Sequence, residues 1–216
     1  MCMSACACAC QRAQNSAFAT DIAPYFDDIY SGTYNIGVRG ANFTGNFRAL
    51  YLDTLQQPAS VAGSIFQGNE AIVEPGTGGA GAGLYMIGSF YAYITVTDCQ
   101  FTRNSSPFLG GAIFALSFLF QHTVSDCSIE GNYAAVSGGG IAMVDGSLTV
   151  NNSRVSNNVA GADGGGGITC RDCVALTLVN TSLTGNACQE VGGAIKVSGL
   201  PASDVMLDQV NATGNM

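Results

Sequence analysis

The sequence predicts an all-β protein of the parallel β-helix class, a solenoid whose short strands stack from coil to coil into parallel sheets. Three observations indicate this fold: a short phrase ending in asparagine occurs seven times, a double-glycine phrase follows the same period, and the composition suits β-structure. Of 216 residues, 29 are glycine, while 47% are apolar and only 10% are charged. This composition fits neither a disordered chain nor a charge-rich helical bundle.

The asparagine phrase consists of an apolar residue, a polar residue, usually a glycine, and then the asparagine, as in Phe43-Thr44-Gly45-Asn46. Successive asparagines lie 23 to 35 residues apart, a period typical of solenoid repeats with loop insertions. The apolar and polar positions alternate, as in a strand with one buried face. Glycine tolerates left-handed backbone angles, so the third position is predicted to be a turn. Arg103 occupies this position in one copy and does not fit the pattern. The seven asparagines are Asn46, Asn69, Asn104, Asn132, Asn158, Asn186 and Asn215.

Two further strands are predicted in each coil. Upstream of the asparagine phrase, apolar residues alternate with threonine, as in Leu148-Thr149-Val150. The double-glycine phrase, as in Gly110-Gly111-Ala112-Ile113, predicts a third short strand after a sharp bend. We therefore expect about seven coils of three strands over residues 36–216, preceded by an irregular, cysteine-rich segment over residues 1–35. The chain stops directly after the seventh asparagine phrase, so we expect the solenoid to be truncated at its C-terminal end.

The repeated asparagine is predicted to be structural. Identical amides that are stacked coil upon coil can hydrogen-bond one another and the backbone of the turn that they occupy. We therefore expect the seven asparagines to form one ladder, in which Asn104, Asn132, Asn158 and Asn186 are buried.

The F-x-x-N and G-G-A-I phrases together resemble the repeat of chlamydial polymorphic outer membrane proteins, over about residues 40–215. The resemblance implies a right-handed β-helix like those of the pectate-lyase-like superfamily. In the family it resembles, the repeat region is an exported passenger implicated in adhesion and is followed by a membrane barrel, which we do not expect among these 216 residues. The resemblance thus implies a non-catalytic adhesive or structural module, located extracellularly or at the cell surface.

A carbohydrate-active enzyme is the alternative. The superfamily resemblance implies a calcium-dependent polysaccharide lyase, in which aspartates hold calcium against a uronate and a basic residue abstracts a proton. Only Asp98, Asp126 and Arg154 match that pattern, and they depart from it because no acidic pair and Lys/Arg pair recurs on one strand face. Asp98 and Asp126 are weak calcium candidates, since stacked carboxylates repel one another unless a cation or proton separates them. No other metal site, catalytic residue or cofactor is predicted.

The remaining reactive side chains have structural interpretations. The single histidine, His122, lies in an apolar column, which favours a half-buried core residue over a catalytic base. Cys99 and Cys127 occupy one column and are expected to form either a disulfide or a stack of small residues. Cys170 and Cys173 lack the further ligands of a zinc site, which favours a local disulfide or free thiols.

Charge limits the partners. The 15 acidic residues outnumber the 7 basic ones, and the formal net charge of −8 would repel phosphate backbones, which excludes nucleic acid as a partner. No apolar run reaches the length of a membrane-spanning helix, so no transmembrane anchor is predicted. The expected partner is a carbohydrate or another cell-surface ligand, or further repeats of a longer protein.

Overall fold

The fold is described by a computed structural model, which covers residues 17–18, 25–26, 36–55, 58–73, 79–88, 93–117, 121–199 and 204–216. Within these residues the regular elements are 26 short strands. The first twelve strands are β1 (Ala17–Phe18), β2 (Tyr25–Phe26), β3 (Ile36–Arg39), β4 (Asn42–Thr44), β5 (Leu50–Leu55), β6 (Ala59–Ala62), β7 (Ile65–Gln67), β8 (Leu84–Gly88), β9 (Ile94–Thr97), β10 (Gln100–Thr102), β11 (Ser105–Ser106) and β12 (Ile113–Ser117). The others are β13 (Gln121–Ser125), β14 (Ser128–Glu130), β15 (Tyr133–Ala134), β16 (Ile141–Val144), β17 (Ser147–Asn151), β18 (Arg154–Ser156), β19 (Val159–Ala160), β20 (Ile168–Arg171), β21 (Ala175–Val179), β22 (Ser182–Thr184), β23 (Ala187–Cys188), β24 (Ile195–Ser198), β25 (Asp204–Asp208) and β26 (Asn211–Thr213).

The strands form four sheets, in which each strand pairs in parallel with the equivalent strand of the neighbouring coil. Sheet I has the order β25-β21-β17-β13-β9-β6-β3, and sheet II has the order β1-β4-β7-β10-β14-β18-β22-β26. Sheet III has the order β11-β15-β19-β23, and sheet IV has the order β2-β5-β8-β12-β16-β20-β24. This topology confirms the predicted all-β parallel β-helix.

The prediction of three strands per coil was wrong for the central part of the solenoid. Four successive coils carry a strand in each of the four sheets, so a coil there has four strands. The additional strands, in sheet III, are only two residues long and directly follow the repeated asparagine. The complete part of the solenoid has about four turns. The predicted count of seven coils stays a prediction.

The boundary at residue 36 also stays a prediction. Most of the segment 1–35 lies outside the described residues. Two short strands from it are described, and they join the solenoid sheets: β1 pairs with β4 and β2 pairs with β5.

The core lies inside the solenoid and is built from the inward residue of each strand. In sheet II the inward column includes three stacked phenylalanines, Phe43, Phe66 and Phe101, whose neighbouring ring centroids are 4.8 Å and 4.5 Å apart. The column continues with the buried Ile129 and Val155 of β14 and β18. Because each inward side chain contacts its equivalents on both neighbouring coils, the core is continuous along the axis.

A second apolar cluster covers the outer face of sheet IV. Tyr51, Tyr85 and Phe114 point outward from β5, β8 and β12 and stack with centroid distances of 4.3 Å and 5.1 Å. Ala80 and Leu109, from the segments that precede β8 and β12, pack against these rings. The outer face of sheet IV is therefore buried beneath the glycine-rich segments, whereas sheets I and II keep exposed polar residues.

Candidate functional site

The seven repeated asparagines form a continuous ladder of side-chain amides. The Nδ2 atom of each asparagine donates to the Oδ1 atom of the next, over distances of 2.8 to 3.1 Å. The backbone N–H of each asparagine donates to the same Oδ1 atom, as Asn132 does to Asn158 at 3.0 Å. From Asn69 onward, the second Nδ2 hydrogen is directed to a backbone carbonyl of the preceding coil, such as Ile129 O for Asn158 at 2.9 Å. The amides from Asn46 to Asn186 are buried and Asn215 is half-buried, so their donors and acceptors bond within the solenoid.

His122 lies in the core rather than half-buried as predicted. Its ring is fully buried, and its Nδ1 atom accepts a hydrogen bond of 3.1 Å from the backbone N–H of Ile94. Its Nε2 atom is buried without a hydrogen-bond partner. Burial lowers the pKa of His122 to about 4, although the nearby backbone carbonyl of Leu116 opposes this shift. A neutral imidazole enclosed by apolar neighbours cannot reach a substrate on the surface.

Cys99 and Cys127 are free thiols stacked in the column that joins sheet I to sheet II. The backbone N–H of Cys99 donates a hydrogen bond to Cys127 Sγ at 3.5 Å. One coil later, the backbone N–H of Cys127 donates in the same way to Ser153 Oγ at 3.1 Å. The hydrogen bond between the two thiols and their burial both raise the pKa of Cys127. Of the two alternatives, the structure therefore has the stack. Cys170 and Cys173 form a disulfide between buried sulfurs.

A polar corner precedes these small residues at the junction of sheets I and II. Its members are Asp98, Asp126, Asn152, Asn180 and Gln209, and all five are exposed. Each has a left-handed backbone, with φ between 46° and 55°. This conformation makes the chain turn sharply into sheet II, which places one polar side chain on the outside of every coil.

An open groove of about 370 Å³ runs along this corner. Four successive coils line it. The first coil contributes Asp126, Cys127 and Ser128, and the second contributes Asn152, Ser153 and Arg154. The third coil contributes Asn180, Thr181 and Ser182, and the fourth contributes Gln209 and Asn211. One rim is the polar corner and the other is the first column of sheet II, while the small residues between them form the floor.

Two of the three residues of the predicted lyase constellation line this groove. Asp126 and Arg154 contribute to opposite rims on neighbouring coils, and both are exposed. Asp98 occupies the same corner one coil earlier but does not line the groove. The Nε atom of Arg154 donates to Ser156 Oγ at 3.1 Å along its own strand.

In the described residues, no third acidic side chain joins Asp98 and Asp126 to complete a calcium site. Within the part of the chain that the structure describes, no cluster of three or more histidine, cysteine, aspartate or glutamate side chains could hold a metal ion. The described residues also include no helix that is long and apolar enough to cross a membrane.

The sequence analysis named Asp126 and Arg154 but did not predict the groove. The lining residues that it did not name include Ser128, Ser182 and Asn211, which share one column with Arg154. The signal that could have found them is a polar residue four positions before each repeated asparagine from Asn104 onward, next to a small residue that leaves space for a floor.

The fold and its groove define a parallel β-helix protein with a polar surface groove along its axis. A family model described as the right-handed β-helix region matches residues 29–205, and the chain belongs to this family. The match establishes the right-handed form of the solenoid. No curated protein and no solved structure matches the chain.

Proposed function

We propose that this chain is a non-catalytic β-helix module of the extracellular space or the cell surface, where it binds carbohydrate as an adhesive or structural component. The observation that carries this proposal is the groove from Asp126 to Gln209, whose rims present amides and hydroxyls to solvent. Sugar hydroxyls both donate and accept hydrogen bonds, and amide side chains offer both functions as well.

The exposed amides of the groove keep hydrogen-bonding capacity. Asn180 Nδ2 donates to Asn152 Oδ1 at 2.9 Å, which orients the two side chains along the rim. This bond uses one of the two N–H groups of Asn180 and one of the two lone pairs of Asn152 Oδ1, so both amides can bond a ligand as well. A rigid solenoid backbone holds them in place, which reduces the entropy lost on binding.

The cellular role rests on the repeat. The F-x-x-N and G-G-A-I phrases resemble those of the polymorphic outer membrane proteins, and adhesion is the function that this resemblance suggests. An adhesive role, a location outside the cell, and a solenoid of about seven coils are parts of the proposal that this resemblance supports.

A calcium-dependent polysaccharide lyase is the second candidate, because Asp126 and Arg154 line the same groove. In such a reaction a neutral Arg154 guanidine would accept the proton next to the uronate carboxylate as the neighbouring glycosidic C–O bond breaks, and calcium at Asp126 would neutralise that carboxylate. Release of unsaturated uronate from pectate or alginate, with and without calcium, tests this candidate. Lyase activity that is lost in Arg154→Ala would show that the protein is an enzyme and would contradict the proposal of a non-catalytic binding module.

Binding is tested by passing the protein over immobilised plant, algal and microbial polysaccharides and comparing retention with that of Asn180→Gly. Residue 180 has φ 46°, so glycine removes the amide and keeps the backbone unstrained. Asp98→Gly is the matched control, since residue 98 has φ 53° at the same corner but lies outside the groove. We expect retention that Asn180→Gly weakens and Asp98→Gly leaves unchanged. Equal retention of both variants would contradict the groove as the binding site.

A further inference from the structure

We infer that the groove takes a neutral, extended β-linked polysaccharide that lies along the solenoid axis, with one sugar against each coil and four sugars in total. The inference rests on the proposed carbohydrate-binding function and adds the class of ligand, its direction and the length of its binding site.

The direction follows from the arrangement of the rims. Ser128, Arg154, Ser182 and Asn211 are direct partners on four neighbouring strands of sheet II. A line through them crosses the strands and therefore follows the axis of the solenoid. The opposite rim, from Asp126 to Gln209, repeats once per coil in the same direction. A ligand that fills the groove must run along this line.

The floor fixes the depth of the groove and contributes little to bonding. Ser153 and Thr181 are buried, and their hydroxyls donate to backbone carbonyls of their own coil at 2.7 Å and 2.9 Å. Ser153 Oγ also accepts from the backbone N–H of Cys127. The bonds to a ligand therefore come from the rims, which face the edges of a flat ring inserted between them.

The spacing matches one sugar per coil. Parallel strands lie about 4.8 Å apart, so equivalent rim residues recur at that interval. This interval is close to the advance of one pyranose ring in an extended β-1,4-linked chain. Each sugar can therefore lie against one coil, with its two edges presented to the rims in alternating order along the chain, and the match holds for the four coils that line the groove.

The charge of the groove favours a neutral chain. Asp126 and Arg154 oppose one another on the two rims, and the other rim residues are uncharged amides or hydroxyls. The whole chain carries a formal net charge of −8. A polyanionic glycan would find only one arginine in the groove and would be repelled by the remainder of the protein.

Calorimetry with cello-, xylo- and chito-oligosaccharides, from the disaccharide to the hexasaccharide, tests the inference. We expect affinity to increase by about two- to tenfold with each added sugar up to the tetrasaccharide, as one net hydrogen bond per sugar would give, and then to level off. Oligogalacturonates of the same lengths should bind more weakly than the best neutral series at equal salt.

Variants connect the length dependence to individual coils. Asn152→Gly and Asn180→Gly, each at a left-handed position, should weaken the tetrasaccharide, while Asp98→Gly should bind it like the unmodified protein. If the affinity does not increase beyond the disaccharide, the inference of an axial, four-sugar site is wrong, but the proposed carbohydrate-binding function stands. Preferential binding of oligogalacturonates to the same groove would overturn the neutral class only, whereas no binding of any glycan at the groove would remove the proposed function itself.

Discussion

Asn158 donates its side-chain amide to Asn186 Oδ1 at 3.0 Å and to Ile129 O at 2.9 Å, and its own Oδ1 atom accepts two bonds from Asn132. One fully buried side chain thus bonds the preceding and the following coil at once. Because the five asparagines from Asn69 to Asn186 all make this set of bonds, the ladder connects their coils along a line that the apolar core alone would not fix.

Replacing Asn158 by leucine should destabilise the solenoid strongly. The change leaves the backbone N–H and one Nδ2–H of Asn132 without their acceptor and removes the hydrogen bond to the carbonyl of Ile129. Each buried unsatisfied group costs about 1–3 kcal/mol, so we expect the free energy of unfolding to fall by at least about 3 kcal/mol. Urea denaturation followed by circular dichroism measures this loss.

Asn157→Gly is the control for that prediction. Asn157 directly precedes Asn158, is exposed and has φ 55°, a conformation that glycine adopts readily. Its stability should stay within about 0.5 kcal/mol of the unmodified protein. If both variants lose similar stability, the ladder has no special role.

The glycines that precede sheet IV should not tolerate a side chain. Gly139 stacks on Gly166, and an added Cβ atom at Gly139 would come within 2.6 Å of the backbone oxygen of Gly166. We expect Gly139→Ala to cost about 1–3 kcal/mol or more, because backbone of the next coil must move to relieve the contact. Gly131→Asn is the matched control, since no atom lies within 4 Å of a Cβ there and its φ of 63° suits asparagine. A thermal melt of both variants compares them, and equal melting temperatures would contradict the close approach of the coils.

The sequence predicted the seven strands of sheet II from β4 to β26 because each has an apolar residue three positions before a repeated asparagine. Sheet III was missed for a physical reason. A two-residue strand such as Tyr133–Ala134 has too few positions to show a period of two, and only its pairing with Ser105–Ser106 and Val159–Ala160 defines it.

The outer cluster on sheet IV interrupts the alternating pattern from which one-sided strands are predicted. Ile113, Phe114 and Ala115 are consecutive and all buried, so the alternation that marks a one-sided strand is lost. The cause is tertiary, since Leu109 and Ala80 cover the outward ring of Phe114. The groove was missed for a similar reason, because its volume depends on how four coils align rather than on any one repeat.

The cysteines should differ in their reactions with an alkylating reagent. Cys99 and Cys127 are buried thiols, and the raised pKa of Cys127 keeps it protonated, whereas Cys188 is half-buried. Among the cysteines of the described residues, under native conditions without reductant, we expect Cys188 to be modified before Cys99 and Cys127, which should react only after unfolding. Cys170 and Cys173 should remain unmodified until a reductant opens their disulfide. Peptide mapping by mass spectrometry identifies each site, and early modification of Cys127 would contradict the stacked, enclosed thiols.

The stability of the protein should depend on pH through His122. Burial lowers the pKa of this histidine from its usual 6.5 to about 4 in the folded state. Below pH 6.5 the unfolded chain therefore binds a proton that the folded protein rejects, so stability is lost as the pH falls from 6.5 towards 4. A difference of this size in pKa corresponds to about 3 kcal/mol once the pH lies below both values.

His122→Leu separates this effect from the titration of the carboxylates. Leucine suits the column, since the next coil has Leu148 at the paired position. It removes the acceptor for the Ile94 N–H, so we expect a loss of about 1–3 kcal/mol at pH 7.5, where the histidine is neutral in both states. The variant should then lose about 3 kcal/mol less than the unmodified protein as the pH falls to 4, because it has no imidazole to protonate on unfolding. Urea denaturation of both proteins at several pH values measures the two slopes. Parallel slopes between pH 6.5 and 4 would mean that His122 titrates normally and is not enclosed in the core.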